Sequence, residues 1–502
     1  MIPFLICFPY LIALLTFVVK PHKVRAAIIY IGAAALMAAS VAFAVWFFMQ
    51  GGSPVTFFVE TENIDHVILG AELVLMVFVT VLCFKYRKYW ISLLMIIPTL
   101  TITWFELMGP GVEEMHHIYI DRLTVLMCLI IGIVGSLIAV YAAGYMHGYH
   151  TVHTEVQDRR NFFYAVMFVF LGSMFGFVMA SNLLWIDFFW EVTSISSFLL
   201  IGYTKTPEAI TNCFRALWMN LLGGTALAIG IVYFGLNYGT VDLQSLVAEG
   251  LSGDARALLP IGLIAFAALT KSAQMPFSTW LLGAMVAPTP SSALLHSATM
   301  VKAGIYVLFR LSPAMYGNNV GTFVAFVGGF TFLSASFMAI AHSDGKKVLA
   351  FSTISNLGLM VACAGMGTAE TIWAGVFLMI FHAVSKSLLF QDIGAVENSI
   401  HSRDIEDMNG LLFRLPKLGI FMFIGIAGMF LAPFGMLIAK WSTLKASIDE
   451  TNILMVLFIC FGSATTAFYW TKWMGKLLNR SEMAPVHDIT RNNEMVSLVI
   501  HT

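Results

Sequence analysis

Long apolar runs follow one another along almost the whole chain and are separated by short polar stretches. About 20 mostly apolar residues cross a bilayer as a helix, and proline or glycine can interrupt such a helix where neighbouring helices satisfy the freed backbone groups. The pattern predicts about fifteen membrane-spanning helices, near residues 2–19, 25–48, 66–84, 89–107, 122–144, 162–181, 183–203, 214–236, 257–285, 292–311, 321–342, 346–366, 370–396, 416–445 and 452–475. Because the loops are short, we expect one all-α polytopic bundle.

The composition agrees with an integral membrane protein. Of the 502 residues, 59% are hydrophobic and 11% are charged, whereas an average soluble chain is about 25% charged. The net charge of −1 gives no indication of nucleic-acid binding. The six cysteines are scattered singly through apolar runs, so we expect neither a disulfide framework nor an iron–sulfur site in this chain.

The lysines and arginines of the loops predict the orientation, because positively charged loops stay in the cytoplasm. One face of the bundle collects Lys20, Lys23, Arg25, Lys85, Arg87, Lys88, Arg159, Arg160, Lys205, Lys346, Lys347, Arg403, Arg414, Lys417, Lys472 and Lys476. The other face has Arg122, Arg256, Arg310 and Lys445. We therefore expect a multi-pass protein of the prokaryotic inner (cytoplasmic) membrane, with the N-terminus outside and the C-terminus in the cytoplasm.

Several ionisable side chains fall well inside the predicted spans. The lysines among them are Lys271, Lys302, Lys386 and Lys440. Each costs about 2.5–3.5 kcal/mol at the centre of a spanning helix on insertion scales, so four together require an explanation. Asp187 and Glu191 lie four residues apart and share one helix face, as do His382 and Lys386.

Two explanations fit a single intramembrane pair of charges. It can be a buried ion pair that fixes helix packing, or it can be a station of a proton relay. A set of lysines, carboxylates and histidines on different helices favours the relay, because such groups can exchange protons through intervening water.

Proline interrupts two of the spans that carry these lysines. Lys271 lies five residues before Pro276, and Lys440 lies seven residues after Pro433. A proline inside a span frees a backbone carbonyl, which is tolerated at membrane depth only against protein or a water-filled cavity. Two broken helices with a lysine, one in each half of the chain, are the pattern expected of inverted-repeat transporters with sites near the midplane.

Residues 110–475 resemble the antiporter-like proton-channel subunits shared by respiratory complex I, the Mrp cation/proton antiporters and the membrane-bound energy-converting NiFe hydrogenases. The motifs that carry the resemblance occur in the order and spacing of that family. They are "YIDRLTVLM" with "YAAGYM", "NLLWIDFFWEVTSISSFLLIGY", "KSAQMPFSTWLLGAMVAPTPSSALLHSATMVKAGIYVLFR", "KKVLAFSTISNLGLM", "FHAVSKSLLF" and "GMFLAPFGMLIAKW".

The resemblance implies a proton path along the membrane midplane. Its members would be Glu191, with Asp187 one turn before it, on the fifth core helix, Lys271 on the broken seventh, His296 and Lys302 on the eighth, His382 and Lys386 on the broken eleventh, and Lys440 on the broken twelfth. In this picture the Glu191 carboxylate holds Lys271 protonated. Weakening that pair would push a proton along the path towards Lys440.

The resemblance also implies two inverted five-helix repeats, each forming a half-channel. We expect N-terminal helices with an extra pair at 1–108, a first half with Glu191 and Lys271 at 109–312, a second, inverted half with Lys386 and Lys440 at 313–446, and a final helix with a cytoplasmic tail at 447–502.

The implied function is that of a proton-translocating subunit that performs no redox chemistry itself. We expect no cofactor or metal in this chain, with NiFe and iron–sulfur centres in partner subunits. The expected partners are other membrane subunits, including a quinone-subunit-like neighbour, and peripheral redox subunits.

Details of the sequence favour one branch of the family. The spans near 66–84 and 89–107 are extra to the usual complex I arrangement, and "LAPFGMLIAKW" is closer to the large antiporter-like subunit of energy-converting hydrogenases. Glycines occupy positions 223 and 224, where the distal complex I subunit usually carries an aspartate. We therefore favour a hydrogenase-type complex.

Three alternatives remain: the distal complex I subunit, an Mrp-type Na⁺/H⁺ antiporter subunit and a purely structural scaffold. An extra carboxylate cluster would favour Na⁺ exchange, and the sequence shows none. Glu72 and Glu106, in the extra pair of spans, are expected at the membrane interface.

Overall fold

Helices follow the apolar runs in the computed structural model, which describes residues 1–59, 62–112, 116–431, 434–479 and 486–502. They are α1 (Ile2–Val18), α2 (His22–Met49), α3 (Glu62–Lys85), α4 (Tyr89–Met108), α5 (Arg122–Val152), α6 (Arg160–Met179), α7 (Leu183–Ile201), α8 (Pro207–Tyr238), α9 (Leu243–Leu251), α10 (Leu258–Lys271), α11 (Thr279–Gly283), α12 (Thr289–Met315), α13 (Asn319–Ile340), α14 (Gly345–Met366), α15 (Ala369–Ile400), α16 (Pro416–Phe430), α17 (Gly435–Asp449), α18 (Ile453–Leu478) and α19 (Asn492–His501). Short helical turns lie at Ala255–Ala257, Ala284–Val286, Glu406–Met408 and Leu411–Arg414.

The expected all-α polytopic architecture is confirmed. Within the described residues, thirteen helical segments are long and apolar enough to cross a membrane, and α1 is a shorter apolar helix. The fourteen-residue α10 is the remaining predicted span, and it ends early because the chain breaks after Lys271. The protein is therefore a multi-pass integral membrane protein.

A two-stranded antiparallel sheet marks where the extra helix pair enters the bundle. Strand β1 (Val55–Phe57) pairs with β2 (Ile118–Ile120), and α3 and α4 lie between the two strands in sequence. Helices α3 and α4 therefore leave the bundle and return to it at the same point. Helix α3 packs against α7, and α4 packs against α8.

The two proline-associated helix breaks predicted from the sequence are present. In the first, α10 ends at Lys271 and α11 begins at Thr279. In the second, α16 ends at Phe430 and α17 begins at Gly435. Pro433, which marks the second break in the sequence, lies outside the described residues. The span predicted at 257–285 is accordingly two helices and a connecting segment.

Two of the long helices contain a π-helical turn. In α5 it covers Ile130–Gly135, and in α12 it covers Leu294–Ala298 and includes His296. Such turns are rare overall, but those that occur are often found at functional sites. The wider turn displaces side chains and backbone groups from the regular helical pattern.

One sequence-based expectation about a polar residue is wrong. Arg310, counted among the loop charges, is buried in α12, and its guanidinium donates to both carboxylate oxygens of Asp121, at 2.6 and 2.7 Å. This bidentate pair fixes the start of α5 against α12. Residues 492–501 form α19, which packs on α5 and α15; the cytoplasmic location expected for this segment stays a prediction.

Glycines allow α13 and α14 to approach each other at backbone distance. A Cβ atom added to Gly358 would lie 2.6 Å from the Phe332 nitrogen and 2.7 Å from the Gly328 carbonyl oxygen. Small residues at such positions let spanning helices pack closely where no hydrophobic effect drives their association. The contact joins α13 and α14, the first two helices after α12.

We predict that Gly358→Ala destabilises the protein by about 1–3 kcal/mol, because the added methyl group meets backbone atoms that cannot move aside. Gly475→Ala is the matched control, since an added Cβ there meets nothing within 4 Å, and alanine favours a helix by up to about 1 kcal/mol. Thermal unfolding of the purified protein in detergent measures both changes. Equal shifts in Tm for the two variants would contradict this account of the α13–α14 contact.

Candidate functional site

Lys271 is the last residue of α10 and reaches into a group of acceptors on α7. Its Nζ donates to the Trp190 carbonyl oxygen at 2.7 Å, to Thr193 Oγ1 at 2.7 Å and to Ser194 Oγ at 3.0 Å. Residues at i, i+3 and i+4 of a helix lie on one face, which is why these three positions converge. The three donors of an ammonium group are thus satisfied by uncharged oxygens.

The two carboxylates of α7 lie near this lysine but do not touch it. Asp187 and Glu191 are buried, and among the described residues Asp187 Oδ1 and Glu191 Oε2 have no hydrogen-bond partner. In the described part of the chain, no carboxylate oxygen lies within 4 Å of the Lys271 Nζ atom. Glu191 is therefore not in direct contact with Lys271, and its expected role in holding that lysine protonated stays a prediction.

A further carboxylate, Glu72, joins this group from the extra helix α3. Its side chain is 2% exposed, and its charged neighbours are Asp187, Glu191 and Glu106. Helix α3 packs on α7, and Trp185 Nε1 donates to Asp65 Oδ1 at 2.8 Å. The interfacial position expected for Glu72 is therefore wrong.

The sequence itself contains a signal for the burial of Glu72. Asp65 and Glu72 are seven residues apart and share one face of α3. Two acidic residues on one face of an apolar helix indicate that this face packs against protein.

A second group of charges lies around His382, in the middle of α15. This helix runs without interruption from Ala369 to Ile400, so the break that the resemblance implied in the helix of His382 and Lys386 is wrong. Lys302 Nζ is 3.1 Å from His382 Nδ1, so the two side chains can share a proton directly. The other charged neighbours of His382 are Lys386, His296 and Lys440. Lys386 Nζ donates to the Leu349 carbonyl oxygen at 3.0 Å.

His296 and Lys440 complete this central group. His296 lies in the π-helical turn of α12 with its ring centroid 4.8 Å from that of Phe390, and neither ring nitrogen has a hydrogen-bond partner within the described part of the chain. Lys440 Nζ lies 5.8 Å from the ring centroid of Phe332 and is a charged neighbour of Lys386. All five side chains of the central group are buried.

The structure thus places the eight predicted site residues in two groups rather than in one continuous chain. Among the described residues, no hydrogen bond or ion pair joins Lys271 to Lys302. Their helices pack closely, since a Cβ atom on Gly304 of α12 would lie 2.9 Å from the Ser272 nitrogen. A proton that passes between the groups therefore needs a bridging water molecule or a side-chain movement.

Buried lysines, histidines and carboxylates beside broken spanning helices are typical of ion-translocating membrane proteins. The chain belongs to the family described as "NADH:quinone oxidoreductase/Mrp antiporter, TM", whose sequence pattern matches residues 180–466. Residues 111–154 also match the pattern described as "NADH-Ubiquinone oxidoreductase (complex I), chain 5 N-terminus". The antiporter-like identity expected from the motifs is thereby confirmed.

Curated relatives include two antiporter subunits of Staphylococcus aureus. "Putative antiporter subunit mnhA2" of strain MRSA252 is 30% identical over 439 residues, which cover 77% of this chain and 54% of the relative. "Na(+)/H(+) antiporter subunit A1" of strain JH9 is 32% identical over 404 residues, which cover 74% of this chain and 49% of the relative. The chain thus spans about half the length of these relatives.

Two solved structures share the fold. One is the Mrp complex from Dietzia sp. DQ12-45-1b, with a TM-score of 0.76 and 19% identity over 96% of this chain and 80% of that chain. The other is the membrane-bound sulfane sulfur reductase, an archaeal respiratory membrane complex, with a TM-score of 0.68 and 20% identity over 88% of this chain and 93% of that chain. At these identities the likeness shows the fold alone.

The family is one of cofactor-free membrane subunits. Across the described residues, no group of three or more His, Cys, Asp or Glu side chains is arranged to hold a metal ion.

We predict that Glu191→Gln abolishes most ion translocation and leaves the fold intact. The substitution removes a negative charge near Lys271 but none of the three hydrogen bonds of the Lys271 ammonium group. Glu208→Gln, at the exposed start of α8, is the matched control. Proton transport into membrane vesicles measures the effect, together with the amount of protein in the membrane. Parental transport by Glu191→Gln would remove this carboxylate from the mechanism.

Proposed function

We propose that this chain translocates protons across the membrane as the antiporter-like subunit of a larger ion-pumping complex. The observation that carries the proposal is the 3.1 Å contact between Lys302 and His382 within a buried group of five basic side chains. Placing these groups in a membrane costs free energy. A lysine beside an imidazole nitrogen is an arrangement that can hand over a proton without further movement.

The proposed path begins at the Asp187, Glu191 and Lys271 group and continues through the central group to Lys440. A change in the negative charge near Lys271 alters how firmly the ammonium group holds its proton. A released proton would pass to Lys302 and His382. The positive charge would then move by repulsion through Lys386 towards Lys440.

The driving force in this proposal comes from partner subunits that transfer electrons. The sequence of "GMFLAPFGMLIAKW" supports a complex of the energy-converting hydrogenase type, with NiFe and iron–sulfur centres in peripheral subunits and a quinone-subunit-like membrane neighbour. The distal subunit of respiratory complex I is the related alternative. In either assembly this chain would contribute the ion path and no redox centre.

The double variant His382→Leu with Lys386→Met tests the path. Replacing a buried polar pair by apolar residues of similar volume can be neutral or stabilising when the pair is structural. Under the proposal the variant assembles normally, keeps electron transfer by its partners at least in part, and loses most proton translocation. The measurement is the proton gradient formed by membrane vesicles that contain the complex.

Val361→Ile with Ala362→Ser, two buried changes in α14, provides a control for altered packing near the membrane core. If the His382/Lys386 variant pumped as well as its parent, the midplane path would run elsewhere.

A second candidate function is Na⁺/H⁺ exchange, and the position of Glu72 favours it. The sequence alone indicated no extra carboxylate cluster, but Glu72 lies near Asp187 and Glu191 inside the bundle. Carboxylate oxygens are the hard ligands that alkali and alkaline-earth cations prefer. The relative described as "Na(+)/H(+) antiporter subunit A1" supports the same candidate.

Glu72→Gln separates the two candidates. If the chain exchanges Na⁺ for H⁺, the variant should need a much higher Na⁺ concentration to dissipate an imposed proton gradient, because one anionic ligand is lost. If the chain moves protons alone, Na⁺ should have no effect on parent or variant. Fluorescence of a pH-sensitive dye in vesicles with and without Na⁺ gives the result.

A further inference from the structure

A groove lies between three spanning helices, α5, α12 and α15. Its volume is about 690 Å³, which is in the range of sites that hold small organic molecules. Its wall runs from Arg122 to Leu129 along α5 and from Ile372 to Ile380 along α15, or about 10–12 Å along the helix axes. Since the hydrocarbon core is about 30 Å thick, the groove covers most of the depth of one leaflet.

The walls of the groove are apolar and partly exposed. On α5, Leu123, Leu126 and Leu129 recur at three-residue spacing and are half-buried. On α15, Trp373 and Phe377 are 56% and 43% exposed. Empty space would forfeit van der Waals contacts, and water finds no polar partners along such walls. The groove therefore requires an apolar occupant.

Polar groups gather at one end of the groove, where α5 begins. Asp121 and Arg310 lie there but neutralise each other in their ion pair. Arg122 is exposed, and its Nε donates to the Gly52 carbonyl oxygen at 3.4 Å. Among the described residues, no carboxylate forms an ion pair with Arg122, so this end of the groove carries a net positive charge. Gln244 of α9 adds an uncharged amide.

This polar end lies at the membrane surface. Arg122 is the first residue of the spanning segment α5, and Trp373 lies in the second turn of α15. Tryptophan is enriched where hydrocarbon meets water. The loop charges predict that this surface is the outer one. A cation at the surface, followed by an apolar groove about as deep as one leaflet, matches the shape of a lipid with a negatively charged headgroup.

We propose that this groove binds a phospholipid with an anionic headgroup, taken from the leaflet on the predicted outer side. Arg122 pairs with the phosphate group, and Gln244 can donate to headgroup oxygens. One acyl chain lies against α5 and α15 as far as Leu129 and Ile380. The headgroup favours a lipid over the competing occupant, an apolar helix of a partner subunit, because such a helix would leave Arg122 without a counter-charge.

Photochemical cross-linking in native membranes identifies the occupant. Phe377→benzoylphenylalanine places a reactive group in the groove, and Phe330→benzoylphenylalanine, on α13, is the matched control. The two phenylalanines are 43% and 46% exposed, and only Phe377 lines the groove. Mass spectrometry of the cross-linked chain should show a several-fold higher share of anionic phospholipid at position 377. Equal shares, or cross-links from position 377 to a protein, would overturn the proposal.

Arg122→Gln tests the headgroup contact. A lipid that binds the folded protein raises its Tm, so phosphatidylglycerol should stabilise the detergent-purified parent more than phosphatidylcholine does. Arg122→Gln should respond equally to both lipids. Lys445→Gln, an exposed cation on the same predicted face outside the groove, should keep the parental preference. A parental preference in Arg122→Gln would overturn the assignment of this arginine and with it the site.

Leu126→Trp tests the acyl-chain contact, because the larger side chain occupies part of the groove. Combined with Phe377→benzoylphenylalanine, it should abolish the enrichment of anionic phospholipid among the cross-links. The amount of chain in the membrane and its Tm without added lipid show whether the fold is intact. Unchanged enrichment in the folded variant would place the lipid elsewhere and overturn the proposal. Arg122→Gln, an exposed change, keeps the proposal testable if Leu126→Trp fails to fold.

Discussion

The cost of holding charge inside a membrane governs this structure. Lysine and carboxylate side chains are expensive at membrane depth unless neighbouring groups compensate for lost hydration. The protein meets that cost for Lys271 with three uncharged oxygens of α7 rather than with a carboxylate in direct contact. The charge of Glu191 can therefore change without breaking the hydrogen bonds of the lysine, as the proposed role of Lys271 requires.

The helix breaks follow from the same constraint. Lys271 occupies the last turn of α10, where unpaired carbonyl groups and the helix dipole favour a positive charge. The π-helical turn in α12 similarly displaces His296 from the regular packing of its helix. At Lys271 and His296 irregular backbone thus coincides with a titratable side chain, and both side chains are buried within the bundle.

Two further helices extend this arrangement. Helix α3 adds Glu72 to the carboxyl groups of α7, so three helices supply carboxyl groups to this cluster when Glu106 of α4 is included. Helix α19 adds a polar face beside the turn that follows Lys386. Helices α3 and α19 therefore contact the helices that carry the two charged groups.

The sequence by itself determined the helical architecture, the positions of the two proline-associated breaks and the identities of the buried bases. Apolar runs have the length of the bilayer, and each intramembrane lysine stands out against them, so local composition was sufficient. Only the tertiary structure decided which charges meet. The rotation and packing of the helices decided four features: the burial of Glu72, the Arg310–Asp121 pair, the separation of Lys271 from Glu191 and the packing of α19. The periodicity of one helix does not specify which neighbouring helix its polar face will contact.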